Sequence, residues 1–354
     1  MIVHQILPNF SYGDAIGDDT LALKRIFQRL GHDSEIFAGV IHRKLMDEAR
    51  DWSEYRKISN KDNVLIYHFS VGSEITDYVM DIPDKVVVLF HNITPAHWFF
   101  GNSPHMTEVA SEGMRELVAL KDRAVTAWAD SEFNASILRQ AGYRDVHVLP
   151  IIIELGRLNR TPDPVFLRQW ASSQHTWTFI GRLSPNKCHE NIIRAFAFTK
   201  KYLHPASRLL FIGENRNCWR YTAALTDLVR KLGVGDVWFL GMVDDTELVA
   251  AYKMADIFIC MSEHEGFCVP LLEAMHFDVP VVAYRAGAVP ETLGGAGLLL
   301  ESNDPVVVAE AVEMIRTENS FRTSLINGQR RRLAAFQSMD LTERVRQLLE
   351  ETIP

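Results

Sequence analysis

Two glutamates that follow a predicted buried strand are the residues best placed to do chemistry. Glu265 and Glu273 lie in the segment SEHEGFCVPLLEAMHFDVP, directly after the apolar run DIFICM. Pro270 suits the first position of a helix, where its missing N–H would have had no partner. This places Glu265 in the loop before the helix and Glu273 in the first helical turns. Backbone N–H groups between them can hold hydroxyl or phosphate oxygens, and we expect them to come from Gly266, Phe267, Cys268 and Val269. Acids near a helix N-terminus are also stabilised by the helix dipole alone, so a purely structural role is open for either glutamate.

A pair of cations forms the second candidate group. In the segment FIGRLSPNKCHENIIRA, a predicted strand ends at Gly181, the loop carries Arg182 and Lys187, and a helix begins near His189. Arginine can bind phosphate oxygens through two parallel hydrogen bonds, and lysine supplies a point charge. With a helix N-terminus beside them, these cations could hold a diphosphate without a metal ion. Either residue alone would more often be a solvated surface cation.

Further candidates lie in three other loops after predicted strands. Gly13 and Gly17 in SYGDAIGDDT form a glycine loop before the first helix, where it could close over a phosphate or an acceptor hydroxyl, although a plain turn fits equally well. His91 ends the strand VVVLF and is either a ligand contact or a buried structural histidine. Glu214 follows the strand RLLFI.

The elements that must position these residues alternate between apolar β-rich runs and stretches of helical period. Runs such as VVVLF and DIFIC are apolar on both faces, as in a parallel sheet covered by helices. The polar segment ELGRLNRTPDP (154–164) separates two such series. We therefore predict an α/β protein with two doubly wound Rossmann-like domains facing across a cleft. The predicted domains are an acceptor-binding domain (1–160), a donor-binding domain (161–336) and a C-terminal helix that packs back on the first domain (337–354). The predicted strands are Ile2–Leu7, Ser34–Ala38, Val64–Phe69, Val86–His91, Ala124–Ala129, Val146–Ile153, Thr176–Ile180, Arg208–Ile212, Val237–Leu240, Ile257–Met261 and Val279–Tyr284.

Composition excludes several classes of protein. The chain has 354 residues, of which 47% are hydrophobic and 23% charged, and this composition is typical of a globular protein. A net charge of −8 argues against a chain-wide nucleic-acid surface. The four cysteines form no CxxC pair and are expected to be reduced thiols. The N-terminus lacks the pattern of a signal peptide and no segment is long enough to span a bilayer, so we expect a cytoplasmic protein that at most contacts the inner membrane surface.

The segment EGFCVPLLEA, preceded by GRLSPNK and followed by VPVVAYRAGAVPE, resembles the family-four retaining glycosyltransferases of GT-B fold, and more loosely their bacterial mannosyltransferases. The resemblance extends over nearly the whole chain, because GDAIG and HNITP are similar to N-terminal loops of that family. It implies that Glu273 holds the ribose hydroxyls of a nucleotide-sugar donor and that Glu265 faces the transferred sugar. It also implies that Arg182 and Lys187 neutralise the diphosphate, that Gly17 closes on it, and that His91 contacts the sugar or positions the acceptor.

Three positions depart from the pattern of that family. Cys188, Cys268 and Asp278 each stand where glycine is frequent in the relatives. For Asp278 the change is mild, because aspartate tolerates the left-handed backbone conformation better than most residues. The first two departures lie in the loops that are expected to bind phosphate and sugar.

The resemblance implies a retaining hexosyltransferase that transfers a sugar, with mannose from GDP-mannose as the first candidate, to a saccharide or glycolipid acceptor in cell-surface polysaccharide or lipopolysaccharide synthesis. The expected partners are this donor and acceptor, with no nucleic acid. We expect no cofactor and no metal, because the sequence has no DxD pair flanked by apolar residues and no HExxH motif. Two alternatives are a nucleotide-sugar epimerase of the same architecture and a non-catalytic protein that binds nucleotide sugars as a regulator.

Overall fold

The chain forms two compact units in a computed structural model that describes residues 1–352. The first unit contains Met1–His97, His105–Glu154 and the described residues from Asp340 onward. The second unit contains Leu155–Met339 together with the short segment Trp98–Pro104.

The first unit is built on a parallel sheet of seven strands in the order β3-β2-β1-β4-β5-β6-β7. Its central strands are buried along their whole length, so apolar side chains cover both faces. The strands are β1 (Val3–Phe10), β2 (Ile36–Ile41), β3 (Ala49–Asp51), β4 (Val64–Phe69), β5 (Lys85–Phe90), β6 (Thr126–Ala129) and β7 (Val146–Val148). The helices are α1 (Ala15–Arg29), α2 (Glu74–Asp81), α3 (Pro104–Leu120), α4 (Glu132–Gln140) and, from the end of the chain, α13 (Leu341–Thr352).

The last helix contributes to the core of the first unit. Val345, Leu348 and Leu349 of α13 are buried in one apolar cluster with Phe27 of α1 and Trp128 of β6. The amphipathic pattern of this helix therefore covers one face of the first sheet.

The second unit is built on a parallel sheet of six strands in the order β10-β9-β8-β11-β12-β13. Because the chain reverses direction across the sheet between β8 and β11, the carboxyl ends of these two strands form the topological switch point. The strands are β8 (His175–Ile180), β9 (Ser207–Ile212), β10 (Val237–Gly241), β11 (Ile257–Cys260), β12 (Val281–Tyr284) and β13 (Leu298–Leu300). The helices are α5 (Pro164–Gln169), α6 (His189–Phe198), α7 (Trp219–Leu232), α8 (Asp245–Met254), α9 (Val269–His276), α10 (Val289–Leu293), α11 (Pro305–Thr317) and α12 (Asn319–Gln337).

Several boundaries differ from those predicted. The units divide between residues 154 and 155, six residues before the predicted boundary, because Leu155 and Leu158 of a short 3₁₀ helix are buried in the second unit. The first helix starts at Ala15 and therefore includes Gly17, which was predicted to lie in a loop before the helix. The C-terminal helix predicted over 337–354 starts at Leu341, after a break at residues 338–340, and the last two residues of that range lie outside the described residues.

Within residues 1–352, no helix combines the length and the apolar character that crossing a membrane requires.

Candidate active site

Two loops of the second unit meet at the switch point of its sheet. One loop (181–188) leads from β8 to α6, and the other (261–268) leads from β11 to α9. Because β8 and β11 are paired neighbours, their loops leave the sheet side by side. These are the two loops in which the sequence places the cations and the first glutamate.

An ion pair joins the two loops. The Lys187 Nζ lies 2.6 Å from Oε2 of Glu265, with the two side chains 20% and 8% exposed. Burial alone would lower the pKa of Lys187, but the nearby Glu265 carboxylate raises it above the ordinary value. Lys187 therefore stays protonated, and a positive charge is held beside a carboxylate with little water around it.

Hydrogen bonds through Asn186 fix the geometry of this pair. The Asn186 side-chain NH₂ donates to the main-chain carbonyl of His264 at 3.0 Å, and the main-chain carbonyl of Asn186 accepts from the N–H of Glu263 at 2.9 Å. The Ser184 hydroxyl donates to the Asn186 Oδ1 at 2.7 Å. Each loop is thus tied to the other immediately beside the charged side chains.

A third loop, after β12, supports the backbone of Glu265. The Ala288 N–H donates to the Glu265 carbonyl at 2.9 Å. Gly287 passes so close that a Cβ at this position would lie 2.3 Å from the same carbonyl oxygen. The Thr292 hydroxyl donates to the carbonyl of Phe267. The loop that carries Glu265 is consequently held from two sides.

Glu273 is buried in α9 and already has two partners. Its Oε2 accepts from the Tyr252 hydroxyl at 2.8 Å, and its Oε1 accepts from the Arg157 guanidinium. Burial and the Glu273 charge raise the pKa of Tyr252 well above its ordinary value, so Tyr252 remains a donor. Arg157 also lies 3.9 Å from Asp245 at the start of α8.

The remaining candidates of the second unit lie around the ion pair. Arg182 is exposed directly after β8. The Glu214 carbonyl accepts from the Leu183 N–H at 2.8 Å, which ties the loop after β9 to the loop of Lys187. Phe267 and Val269 are buried, whereas Gly266 and Cys268 are partly exposed.

Comparison with known proteins identifies this domain. Residues 168–332 match the sequence family described as glycosyl transferases group 1. The match lies entirely within the second unit.

The chain aligns with only part of the length of its curated relatives. The chain is 28% identical over 45% of its length to "O-antigen chain mannosyltransferase B" of Escherichia coli, and the match covers 41% of that protein. It is 32% identical over 42% of its length to "D-inositol 3-phosphate glycosyltransferase" of Corynebacterium kroppenstedtii, covering 34% of that protein. The chain thus spans well under half the length of these two relatives.

The fold of the whole chain is that of a GT-B glycosyltransferase. The chain is similar to the crystal structure of Anabaena HepE in complex with UDP-glucose, with a TM-score of 0.76 and 18% identity over 99% of this chain and 100% of the other. The predicted family and the predicted pair of Rossmann-like domains are confirmed.

The backbone conformation at Cys188, Cys268 and Asp278 shows why glycine is frequent at these positions in the relatives. Cys188, Cys268 and Asp278 all have positive φ angles of 50°, 72° and 57°. Glycine adopts this left-handed region without the steric cost that a Cβ brings. These positions therefore need an unusual backbone conformation, and the chain adopts it with side chains present.

In the first unit, His91 lies in a buried chain of hydrogen bonds. Its Nδ1 lies 3.1 Å from Asp130 Oδ2 and its Nε2 lies 2.8 Å from Nδ1 of His68. The His68 Nε2 in turn lies 2.9 Å from Oε1 of Gln5, which can only accept. Neutral His68 must therefore accept from His91 at Nδ1, so Nε2 of His91 carries a hydrogen. One further proton is then shared between His91 and Asp130.

This chain of contacts does not present the His91 ring to a ligand. The side chain is 1% exposed, and both ring nitrogens have partners. Burial alone would lower the pKa of His91, but the charge of Asp130 and its hydrogen bond raise it. The geometry favours a buried structural role for His91 over a ligand contact. A contact with substrate would require the ring to move.

The local backbone structure accounts for the glycines at positions 13 and 17. Gly13 has a φ of 73°, a conformation that suits glycine, and lies in the turn before α1. Gly17 lies inside α1 and not in a flexible loop, because the helix starts at Ala15. A Cβ at Gly17 would lie 2.3 Å from the carbonyl oxygen of Ser11, so close backbone packing requires glycine there.

A buried group in the first unit could in principle hold a metal ion. Asp19, His68 and His91 have ligand atoms within 4.8 Å of one another, and all three residues are buried. The Asp19 Oδ1 already accepts from the N–H of Ile152 at 2.8 Å. Since the histidine nitrogens are also paired, these residues satisfy one another without an ion.

Proposed function

We propose that this protein is a retaining hexosyltransferase that uses a nucleoside diphosphate sugar as donor. The observation that carries the proposal is the Lys187–Glu265 ion pair at 2.6 Å, set between the two strand-end loops of a group 1 domain. Ligands of open α/β sheets bind at this end of the strands.

The donor diphosphate is held by cations and helix N-termini. Lys187 supplies a partly buried positive charge, and Arg182 supplies an exposed one just after β8. The first turns of α6 and α9 begin beside them, and the positive end of each helix dipole attracts anions. Charge that develops on the leaving diphosphate is stabilised by these fixed groups, which is a major source of catalysis in such sites.

Glu273 binds the ribose hydroxyls of the donor. An ionised carboxylate can accept about four hydrogen bonds. Tyr252 and Arg157 use two of these positions and fix the orientation of the carboxylate. The remaining lone pairs are available to two neighbouring hydroxyls.

Glu265 acts on the transferred sugar. Its carboxylate can accept from a sugar hydroxyl near C3 and offset positive charge on the ring in the transition state. We propose front-face attack by the acceptor, with the anomeric configuration retained and without a covalent bond to Glu265. Lys187 holds the carboxylate in place and is at the same time near enough to serve the leaving diphosphate.

We propose that the transferred sugar is mannose and that the donor is GDP-mannose. The acceptor would be a saccharide or glycolipid of cell-surface polysaccharide synthesis. The similarity to a protein named O-antigen chain mannosyltransferase supports this choice. Such acceptors place the enzyme in the cytoplasm, with peripheral contact to the inner membrane surface. No metal is needed in the proposed reaction because the cations of the site replace it, and activity should therefore persist in a chelator.

The proposal is tested by incubating the protein with GDP-mannose or UDP-glucose and a saccharide acceptor, and by examining the product's anomeric centre by NMR. We expect retention, and we expect Glu265→Gln to lower turnover by orders of magnitude with nucleotide affinity nearly unchanged. Glu263→Gln is the matched control, because this exposed glutamate of the same loop pairs with Asn303. An inverted product, near-normal turnover of Glu265→Gln, or conversion of the donor without an acceptor would refute the proposal.

A further inference from the structure

Two thiols lie together under the loop that carries Glu265. The Sγ atoms of Cys260, at the end of β11, and Cys268, at the start of α9, are 3.9 Å apart. A carboxylate oxygen of Glu265 lies within 4.8 Å of both sulfurs. The hydrogen-bonding roles assigned to the site so far do not use either thiol.

The separation of the sulfurs fits a tetrahedral metal ion. Zinc binds thiolate sulfur at about 2.3 Å, so two sulfurs in a tetrahedral shell lie about 3.8 Å apart. Two sulfurs and one carboxylate oxygen form a ligand set that favours zinc over magnesium or calcium, which prefer oxygen ligands only. The fourth position would be left to water.

We propose that Cys260, Cys268 and Glu265 form a binding site for a zinc-like divalent ion, and that the ion and the sugar donor exclude each other. The second part rests on the proposed function, because it needs Glu265 to serve the donor. A carboxylate that binds the ion is no longer available to a sugar hydroxyl, and the ion occupies space beside the Cys268 backbone. The metal would therefore be an inhibitor and not a cofactor.

The charges around the site balance when the ion is bound. Binding releases one proton from each thiol, so two thiolates and the Glu265 carboxylate carry three negative charges. The divalent ion and the Lys187 ammonium, 2.6 Å from Glu265, supply three positive charges. The buried site thus avoids the unpaired charge that makes burial of an ion expensive.

Access to the site is from the side of Cys268. Cys260 is buried, whereas Cys268 is partly exposed. Cys188 and Cys218 are buried and are not part of this ligand group among the described residues. They provide internal controls for any thiol-dependent signal.

The first test uses Co²⁺ as a spectroscopic probe of the reduced protein. Cobalt bound by thiolates gives a sulfur-to-metal charge-transfer band, and a tetrahedral shell gives strong visible bands. We expect one ion per chain with both features. The charge-transfer band should weaken in Cys260→Ser and Cys268→Ser and vanish in the double variant, while Cys218→Ser keeps it. Excess Zn²⁺ should displace the cobalt, and circular dichroism establishes that the variants are folded.

The second test is competition with the donor. Adding saturating GDP-mannose or UDP-glucose, whichever the titration shows to bind, should bleach the cobalt bands. Zn²⁺ should inhibit transfer by wild type but not by Cys260→Ser. Absence of a thiolate band, or a band unchanged in the double variant, overturns the metal site without touching the proposed transfer reaction. A thiolate band that saturating donor leaves unchanged overturns the mutual exclusion.

Discussion

Asp278, directly after α9, is a residue whose side chain and backbone have opposite effects on stability. Its φ of 57° is unfavourable for any residue with a Cβ. Its carboxylate, however, receives two hydrogen bonds from the Arg330 guanidinium, each 2.7 Å long. The pair is largely exposed, so its contribution to stability is small.

We therefore expect Asp278→Gly and Asp278→Ala to differ. Glycine loses the ion pair but relieves the backbone cost, so its free energy of unfolding should change by less than about 0.5 kcal/mol. The Asp278→Ala variant loses the ion pair and keeps the unfavourable left-handed backbone conformation. Its free energy of unfolding should therefore be lower than that of Asp278→Gly by roughly 1 kcal/mol or more. Denaturant unfolding of both variants measures the difference, and equal stabilities would contradict the argument.

Glu273 gives a second expectation for a single residue. Glu273→Gln keeps the size of the side chain but removes the charge that accepts from Tyr252, Arg157 and the proposed ribose. Hydrogen bonds to charged groups are worth about 1.5–3 kcal/mol, so nucleotide affinity should fall by roughly 10- to 100-fold. Calorimetric titration measures this fall, with the exposed Glu310→Gln as control. An unchanged dissociation constant would remove Glu273 from the nucleotide site.

At the scale of elements, the loop after β12 is expected to control Glu265 without contacting the donor itself. In Gly287→Ala, the new Cβ would lie 2.3 Å from the Glu265 carbonyl oxygen, so the loop must move. We expect turnover to fall at least about tenfold, because a small displacement of a catalytic group is costly. Gly235→Ala is the control, since a Cβ there meets no atom within 4 Å. Normal turnover in Gly287→Ala would show that this loop does not position Glu265.

The sequence was sufficient for most elements because buried parallel strands and their helices leave strong patterns. The apolar runs at β5 and β11 are examples, and both appear within one residue of the predicted bounds. The short strands β3 and β13 were missed because three residues carry no period. The roles of Glu265 and Glu273 remain predictions, although their positions at the strand end and inside α9 follow directly from the motif.

Partners that come from distant parts of the chain could not be found in the sequence. Arg157 lies in the segment predicted as a linker, yet its guanidinium binds the carboxylate of Glu273. Its only signal was a cation in a polar stretch, which is usually solvent-exposed. Likewise, nothing local to His91 indicates that Asp130 and His68 enclose its ring.

At the scale of the whole molecule, the buried network of the first unit should make stability depend on pH. Burial raises the pKa of Asp19 to about 7. The pKa of His91 is also raised, because the charge of Asp130 raises it by more than burial lowers it. Both groups hold protons in the folded state that the unfolded chain releases more readily, so the free energy of unfolding falls as pH rises. The histidines with lowered pKa have the opposite effect, which fades as the unfolded chain loses their protons around pH 6.5.

We therefore expect Asp19 to make the free energy of unfolding of wild type fall as the pH rises from about 4 to about 7, with a slope of up to about 1.4 kcal/mol per pH unit for the extra proton that it holds. Asp19→Asn should flatten this fall, because asparagine can still accept from the N–H of Ile152 but does not ionise. Calorimetric scans over this range test the expectation, with the exposed Asp62→Asn as control. The same slope in Asp19→Asn and wild type would contradict it.

The central claim is that a nucleoside diphosphate binds between the strand-end loops of the second unit, against Lys187. Its most direct test is calorimetric titration of wild type and Lys187→Ala with UDP, GDP and ADP, with Lys253→Ala of α8 as the control for loss of an exposed cation. We predict that one nucleotide binds wild type and the control alike, and that Lys187→Ala weakens it by roughly 10- to 100-fold. If no nucleoside diphosphate binds, or if Lys187→Ala binds it as tightly as wild type does, the site has been assigned to the wrong residues.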